Sequence, residues 1–110
     1  MEKNMKIPAV IESYFAADNQ DQSHNLSALF AADAVVSDEK TRHEGIDAII
    51  AWSAAAKNRY GHTSEPLDAE EADGGYIVRA RVTGRFPGSP IILTYRFHLE
   101  AEKIARLEIG

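Results

Sequence analysis

Two segments in the C-terminal half, YIVRARVTGRF (76–86) and IILTYRFHLE (91–100), alternate apolar and polar residues almost without a break. Side chains on a strand point to opposite faces with a period of two, so each segment predicts a strand with one buried and one exposed face. Tyr76, Val78, Ala80, Val82 and Phe86 fall on one face of the first, and Ile77, Arg79, Arg81, Thr83 and Arg85 on the other. In the second, Ile91, Leu93, Tyr95, Phe97 and Leu99 oppose Ile92, Thr94, Arg96, His98 and Glu100. PGSP between them is a turn, so the pair predicts adjacent antiparallel strands. A slip of one residue would drive the arginines into the core, which specifies the register strongly. Asp73-Gly74-Gly75 predicts another hairpin, joining a less regular strand, HTSEPLDAEEAD, interrupted at Pro66. A short turn at Ala101–Lys103 leads to a last strand, Ile104 to Ile109.

The N-terminal half has a different period. Ile7, Val10, Ile11, Tyr14 and Phe15 follow the spacing of one helical face, and Pro8 suits a first helical turn. After a polar break, Asp21 or Ser23 could cap a second short helix with Leu26, Leu29 and Phe30 on its apolar side. Ala34 to Ser37 predicts a strand, Asp38–Lys40 a charged turn, and Thr41–Glu44 a return strand. Gly45 opens a third helix to about Arg59, with Asp47 in its first turn, where the helix dipole favours an anion. Its buried side is Ile46, Ile49, Ile50 and Ser53, with Trp52 on a flank. Helices segregated from an antiparallel meander predict an α+β fold: three N-terminal helices against a curved, mostly antiparallel sheet, in one domain over 1–110.

Bulk properties narrow the function. The net charge of −5 lacks the basic footprint of a nucleic-acid binder. The chain has no cysteine, which excludes a disulfide framework, a thiolate nucleophile and a cysteine zinc site. MEKNMKI is charged and polar, unlike a secretory leader, and no apolar run reaches the ~20 residues of a membrane span. A cytoplasmic protein is expected. His24, His43, His62 and His98 lie on separate elements with no ligand spacing, so no metal and no cofactor is expected.

YFAADNQDQSHNLSALFAADAVVSDE, then HEGIDAIIAW, then YRFHLEAEKIARLEI form an ordered set that resembles the nuclear-transport-factor-2-like superfamily, in its SnoaL-like and ketosteroid-isomerase-like branch. The resemblance implies a cone of curved sheet around the helices with a pocket at one end. By resemblance to ketosteroid isomerase, Asp38 matches the general base and Tyr14 the oxyanion donor. The position matching that enzyme's second acid falls near Leu93, with Ile92 and Thr94 beside it, and none of these is an acid. The His/Asp pair of SnoaL-like cyclases has no evident counterpart, since His98 is on the outward face.

Asp38 therefore reads two ways: a turn carboxylate bonded to nearby backbone N–H groups, or a base on an apolar pocket. Tyr14 is either a core aromatic or a donor to a developing enolate oxygen. Together they are expected to converge on a cavity lined by Phe30, Val36, Trp52, His62, Tyr95 and Phe97. Two functions follow: an isomerase, cyclase or lyase acting on an apolar carbonyl compound, or a non-catalytic module that binds a small apolar or amphipathic ligand or dimerises. The arginines of the outward face read as solvated, balanced across strands by acids such as Glu65, or as the polar part of a homodimer contact centred on Ile77 and Ile92.

Overall fold

The computed structural model describes residues 7–72 and 74–110. Helix α1 is Ala9–Asn19, a 3-10 helix follows at Ser23–Ala28, and α2 is Ile46–Tyr60. The strands are β1 (Phe30–Asp38), β2 (Thr41–Glu44), β3 (Thr63–Ala72), β4 (Gly75–Thr83), β5 (Ile91–Glu100) and β6 (Lys103–Ile109). They form one sheet in the order β2-β1-β6-β5-β4-β3, antiparallel except where β1 runs parallel to β6. The sheet is curved and unclosed, and the fold is α+β.

The expected faces of the meander are those observed. Val78, Ala80, Val82, Tyr95 and Phe97 are buried, and Tyr76 and Leu93 pack partly buried against them. Arg79, Arg81 and Arg96 are exposed. On that outer face Arg81 Nη1 donates to Glu65 at 2.8 Å and Arg79 Nε to Asp68 at 3.0 Å, both across the β3–β4 pair. The break at Pro66 is a register shift between Pro66 and Asp68, because proline has no N–H for the ladder. Asp73 lies outside the described residues. Beside it Gly74 has φ +79° and Gly75 pairs with Ala72.

Three local expectations are corrected. Neither Asp21 nor Ser23 caps the 3-10 helix: Gln22 precedes it without a side-chain cap. Pro8 is the residue before α1, with ψ 150°, so its ring sits outside the first turn. The first strand begins at Phe30 and runs through Asp38, longer at both ends than Ala34–Ser37. The reason is tertiary. Phe30 pairs with Ile104 and Asp38 with Ile109 on the parallel neighbour β6, which supplies ladder partners the local pattern does not reveal. The β1–β2 turn is then only Glu39 and Lys40, both left-handed at φ 53° and 65°, the conformation of a two-residue hairpin that follows the sheet's twist.

Helix α1 lays Ile11, Tyr14, Phe15, Ala17 and Asp18 on the sheet's inner face. Its end is tied down by Asn19, whose Nδ2 donates to the Ser64 carbonyl at 2.8 Å and whose Oδ1 accepts from the Ser64 N–H at 2.7 Å. Ser23 and Ser53 hydroxyls meet at 3.0 Å and join the 3-10 helix to α2. Among the described residues no helix is long and apolar enough to cross a membrane.

Gly75 is required by close approach. An added Cβ would stand 2.1 Å from the Phe97 carbonyl oxygen and 3.2 Å from its carbon, both backbone atoms. Gly75→Ala is expected to destabilise the fold by about 1–3 kcal/mol, the scale of overpacking. Urea unfolding measures it as a lower midpoint at constant slope. An unchanged midpoint would show that β4 and β5 separate there at no cost.

Candidate active site

The inner face of the sheet, α1 and α2 enclose a cavity of about 200 Å³ that opens between the end of β1 and the β4–β5 connection. Asp38 and Tyr14 both line it, as do Trp52, His62 and Tyr95. Phe30, Val36 and Phe97 do not. They are 2%, 0% and 3% exposed and fully covered by neighbouring side chains, so no surface is left for a ligand. Their role is support. The Tyr14 ring packs edge-on against Phe97 and Phe30, with centroids at 5.6 and 6.1 Å, and against Phe15 at 5.3 Å. Edge-to-face packing fixes an aromatic ring's position and tilt.

Asp38 reaches the cavity because strand alternation puts it on the side of Ala34 and Val36, both buried. Its Oδ2 accepts from Trp52 Nε1 at 3.0 Å. Trp52 thus does more than pack on the flank of α2: its indole aims the carboxylate. Burial raises the Asp38 pKa above the ordinary carboxylate value, and the adjacent Glu39 adds to the rise, while the Trp52 hydrogen bond opposes it. Tyr14 is 2% exposed, and its hydroxyl pKa is raised well above the usual phenol value by burial first, then by the negative charges of Asp18 and Asp38. Tyr95 is pushed up to about 12, chiefly by burial, and its hydroxyl lies 3.2 Å from Ser64 Oγ.

The residue most consequential for the site that the sequence reading passed over is Asp18. It is 6% exposed, lines the cavity, and has Oδ2 3.1 Å from His62 Nε2. It stands at i+4 from Tyr14 on the apolar stripe of α1, and an acid on a buried stripe is a signal a sequence can carry. Tyr60 was also passed over. Trp52, Ala56 and Tyr60 recur at i, i+4 and i+8 along α2, and all line the cavity. Tyr60 Oη donates to Glu39 Oε2 at 3.3 Å at the mouth. Phe86, Ile91, Leu93 and Ile109 complete an apolar wall. Leu93, where a second acid was sought, is part of that wall. Among the described residues no group of three potential ligand side chains is placed to hold a metal ion.

The arrangement combines a half-buried carboxylate, a buried phenol and an apolar wall, which together suit proton transfer next to a carbonyl. No protein-family model and no curated protein matches the chain. Solved structures do. One is a provisionally named polyketide cyclase of Sinorhizobium meliloti, 46% identical, covering 94% of this chain and 95% of its own, with a TM-score of 0.91. A second is a hypothetical protein of Catenulispora acidiphila with a ketosteroid-isomerase-like fold, in complex with trimethylamine; it is 20% identical over 96% of this chain and 86% of its own, with a TM-score of 0.84. A third is a provisionally named isomerase of the SnoaL-like family from Agrobacterium tumefaciens, 18% identical over 92% of each chain, with a TM-score of 0.75.

The raised Asp38 pKa has a consequence for stability. A carboxyl whose folded pKa lies above its unfolded value stabilises the fold fully below the unfolded value, and that contribution is lost as pH rises through the folded one. Asp38→Asn removes the cost of holding the charge and keeps an acceptor for Trp52. The variant is expected to melt above the parent at about pH 7, with the gap closing as pH falls through the raised Asp38 pKa toward the ordinary carboxylate value. Paired thermal melts across this range check it. A variant that melts below the parent at neutral pH would show that the Trp52 bond to the charged form outweighs burial.

Proposed function

Since the chain belongs to the nuclear-transport-factor-2-like superfamily, with the SnoaL-like and ketosteroid-isomerase-like proteins, we propose that it is a cofactor-independent isomerase or cyclase that acts on an apolar carbonyl compound. The observation that carries this reading is that the Asp38 carboxylate, aimed by Trp52, and the Tyr14 hydroxyl line one largely apolar cavity. The names of the Sinorhizobium and Agrobacterium proteins, cyclase and isomerase, support the same reaction class.

In this reading Asp38 takes a proton from the carbon α to the ligand's carbonyl. The C–H electron pair moves toward the carbonyl oxygen, and Tyr14 donates a hydrogen bond to the enolate oxygen that forms. Asp38, now the acid, returns the proton at another carbon for an isomerisation. In a cyclisation the enolate carbon attacks a second carbonyl of the same molecule, and the new alkoxide takes the proton. Ligand entry expels water from the carboxylate, and burial that already raises its pKa makes it a stronger base. A second reading, a non-catalytic module for a small apolar or amphipathic ligand, is favoured by Leu93 standing where a second oxyanion acid would be. The trimethylamine complex of the Catenulispora protein supports small-ligand binding in this fold.

Solvent deuterium exchange at the α-carbon of a cyclic ketone, followed by NMR, separates the two. Asp38→Asn is expected to abolish exchange while ligand affinity stays nearly intact, because shape is kept and only the base is lost. Tyr14→Phe is expected to slow it ~10- to 1000-fold, the scale of losing one oxyanion donor. Exchange that survives in Asp38→Asn, or is absent from the parent, leaves the binding module.

We also propose a homodimer through the outer face of the sheet. Ile92 is 51% exposed there opposite Arg81, and Ile77, four positions along β4, lies opposite Arg96 on the same face. Light scattering at micromolar concentration is expected to show a dimer, and Ile92→Asp to weaken it by placing an unpaired charge in a desolvated contact. A strict monomer overturns the proposal.

A further inference from the structure

We infer that the inner end of the cavity is a binding site for a protonated amine, so that the ligand is an apolar molecule carrying an ammonium group. The inference deepens the reading of the same cavity given above, and rests on it only for the location of the site.

Asp18 is 94% withdrawn from solvent by its own exposure of 6%, yet only one of its oxygens has a protein partner. Oδ2 meets His62 Nε2, and Asp18 is among the residues that line the cavity. His62 Nδ1 is buried without a partner among the described residues. A doubly protonated ring would strand an N–H there, so the tautomer that fits carries one proton, on Nε2, and donates it to Asp18. The imidazole then orients Asp18 without cancelling its charge. One helical turn earlier, Tyr14 is also buried and lines the cavity, and its hydroxyl has no hydrogen-bond partner among the described residues. The second oxygen of a buried aspartate and the hydroxyl of a buried tyrosine, on two residues that line one cavity, form a receptor for N–H donors. A ligand N⁺–H that meets these oxygens makes a charge-assisted hydrogen bond, roughly twice as strong as a neutral one.

The rest of the lining points the same way. It includes the carboxylates of Asp38 and Glu39 and no lysine or arginine. Three cations of neighbouring segments are engaged elsewhere: Lys57 Nζ donates to the His62 carbonyl, Arg59 lies 5.1 Å from the Tyr60 ring centroid, and Arg85 Nη2 donates to the Asn58 carbonyl. The lining includes the aromatic rings of Tyr14, Trp52, Tyr60, Phe86 and Tyr95. Aromatic faces attract cations and do nothing for anions. An ammonium at this end also answers a difficulty in the proposed chemistry. Asp18 beside Tyr14 opposes negative charge on an enolate oxygen, and a ligand that brings its own positive charge offsets it.

Cyclohexylamine, cyclohexanol and cyclohexanecarboxylate test this at neutral pH, with Trp52, the single tryptophan, as the fluorescent reporter. The amine is expected to bind at least about tenfold more tightly than the alcohol, the scale of a charge-assisted contact, and the carboxylate more weakly than either. Asp18→Asn is expected to bring the amine down to the affinity the same variant shows for the alcohol. Should that variant not fold, magnetisation transfer from the amine-bearing carbon's proton to the Tyr14 and Tyr95 rings in the parent places the head group instead. Equal affinity for amine and alcohol overturns the inference. So does a preference that is lost in Asp38→Asn and kept in Asp18→Asn, or a head group found beside Trp52. None of these readouts requires turnover, so amine preference without proton exchange counts against the enzyme alone, and exchange without amine preference against this inference alone.

Discussion

The Tyr14 ring sits edge-on among Phe15, Phe30 and Phe97, 2% exposed, with Tyr95 at 6.5 Å on its remaining side. This cluster joins α1, β1 and β5, elements far apart in the chain, at one point. Burying each such side chain contributes ~1.5–3 kcal/mol, and edge-to-face contacts add to it. The cluster therefore sets how far α1 is pushed along the sheet. That in turn decides where Asp18, one turn later, and the Tyr14 hydroxyl are presented. The Asn19–Ser64 bonds hold the helix end in the same position against β3. The cavity is what remains between α1 and α2 once this packing is satisfied.

Within that cavity the polar groups form two sets, each held by a hydrogen bond between elements. At the mouth Asp38 is held by Trp52, and Glu39 by Tyr60, both donors from the same face of α2. At the inner end Asp18 is held by His62, with Tyr14 and Tyr95 beside it. Each carboxylate is oriented by a neutral donor. Such a pairing fixes direction without removing charge, which a lysine or arginine partner would do. A cavity built this way keeps a negative potential in a medium of low dielectric, where it is felt more strongly than in water. Burial raises the Asp38 pKa and strengthens it as a base, while the Asp18 charge makes Tyr14 harder to ionise. The two sets thus place different demands on one ligand.

Much of the architecture was legible in residues 76–100, because strict alternation leaves only one register that buries Val78 and Tyr95 and exposes Arg79 and Arg96. The start of β1 at Phe30 was not, since its ladder partner Ile104 lies more than seventy positions away in number. Asp38 and Tyr14 could be singled out by family resemblance and by their places on a strand face and a helix stripe. Phe30, Val36 and Phe97 were expected on the cavity wall for the same reason, an inward-facing position. Inward, however, covers both the packed floor and the open wall, and only the depth of each side chain beneath α1 separates them.

The periodicities by themselves determined which side of each element is apolar, hence the α+β class and the outward arginines, because those follow from the fixed geometry of helix and strand. Tertiary structure alone decided that Trp52 meets Asp38 and that His62 meets Asp18. Each pair joins separate elements, fourteen and forty-four positions apart. The sheet's curvature and the helices' crossing bring their atoms to about 3 Å, and no local pattern encodes that distance.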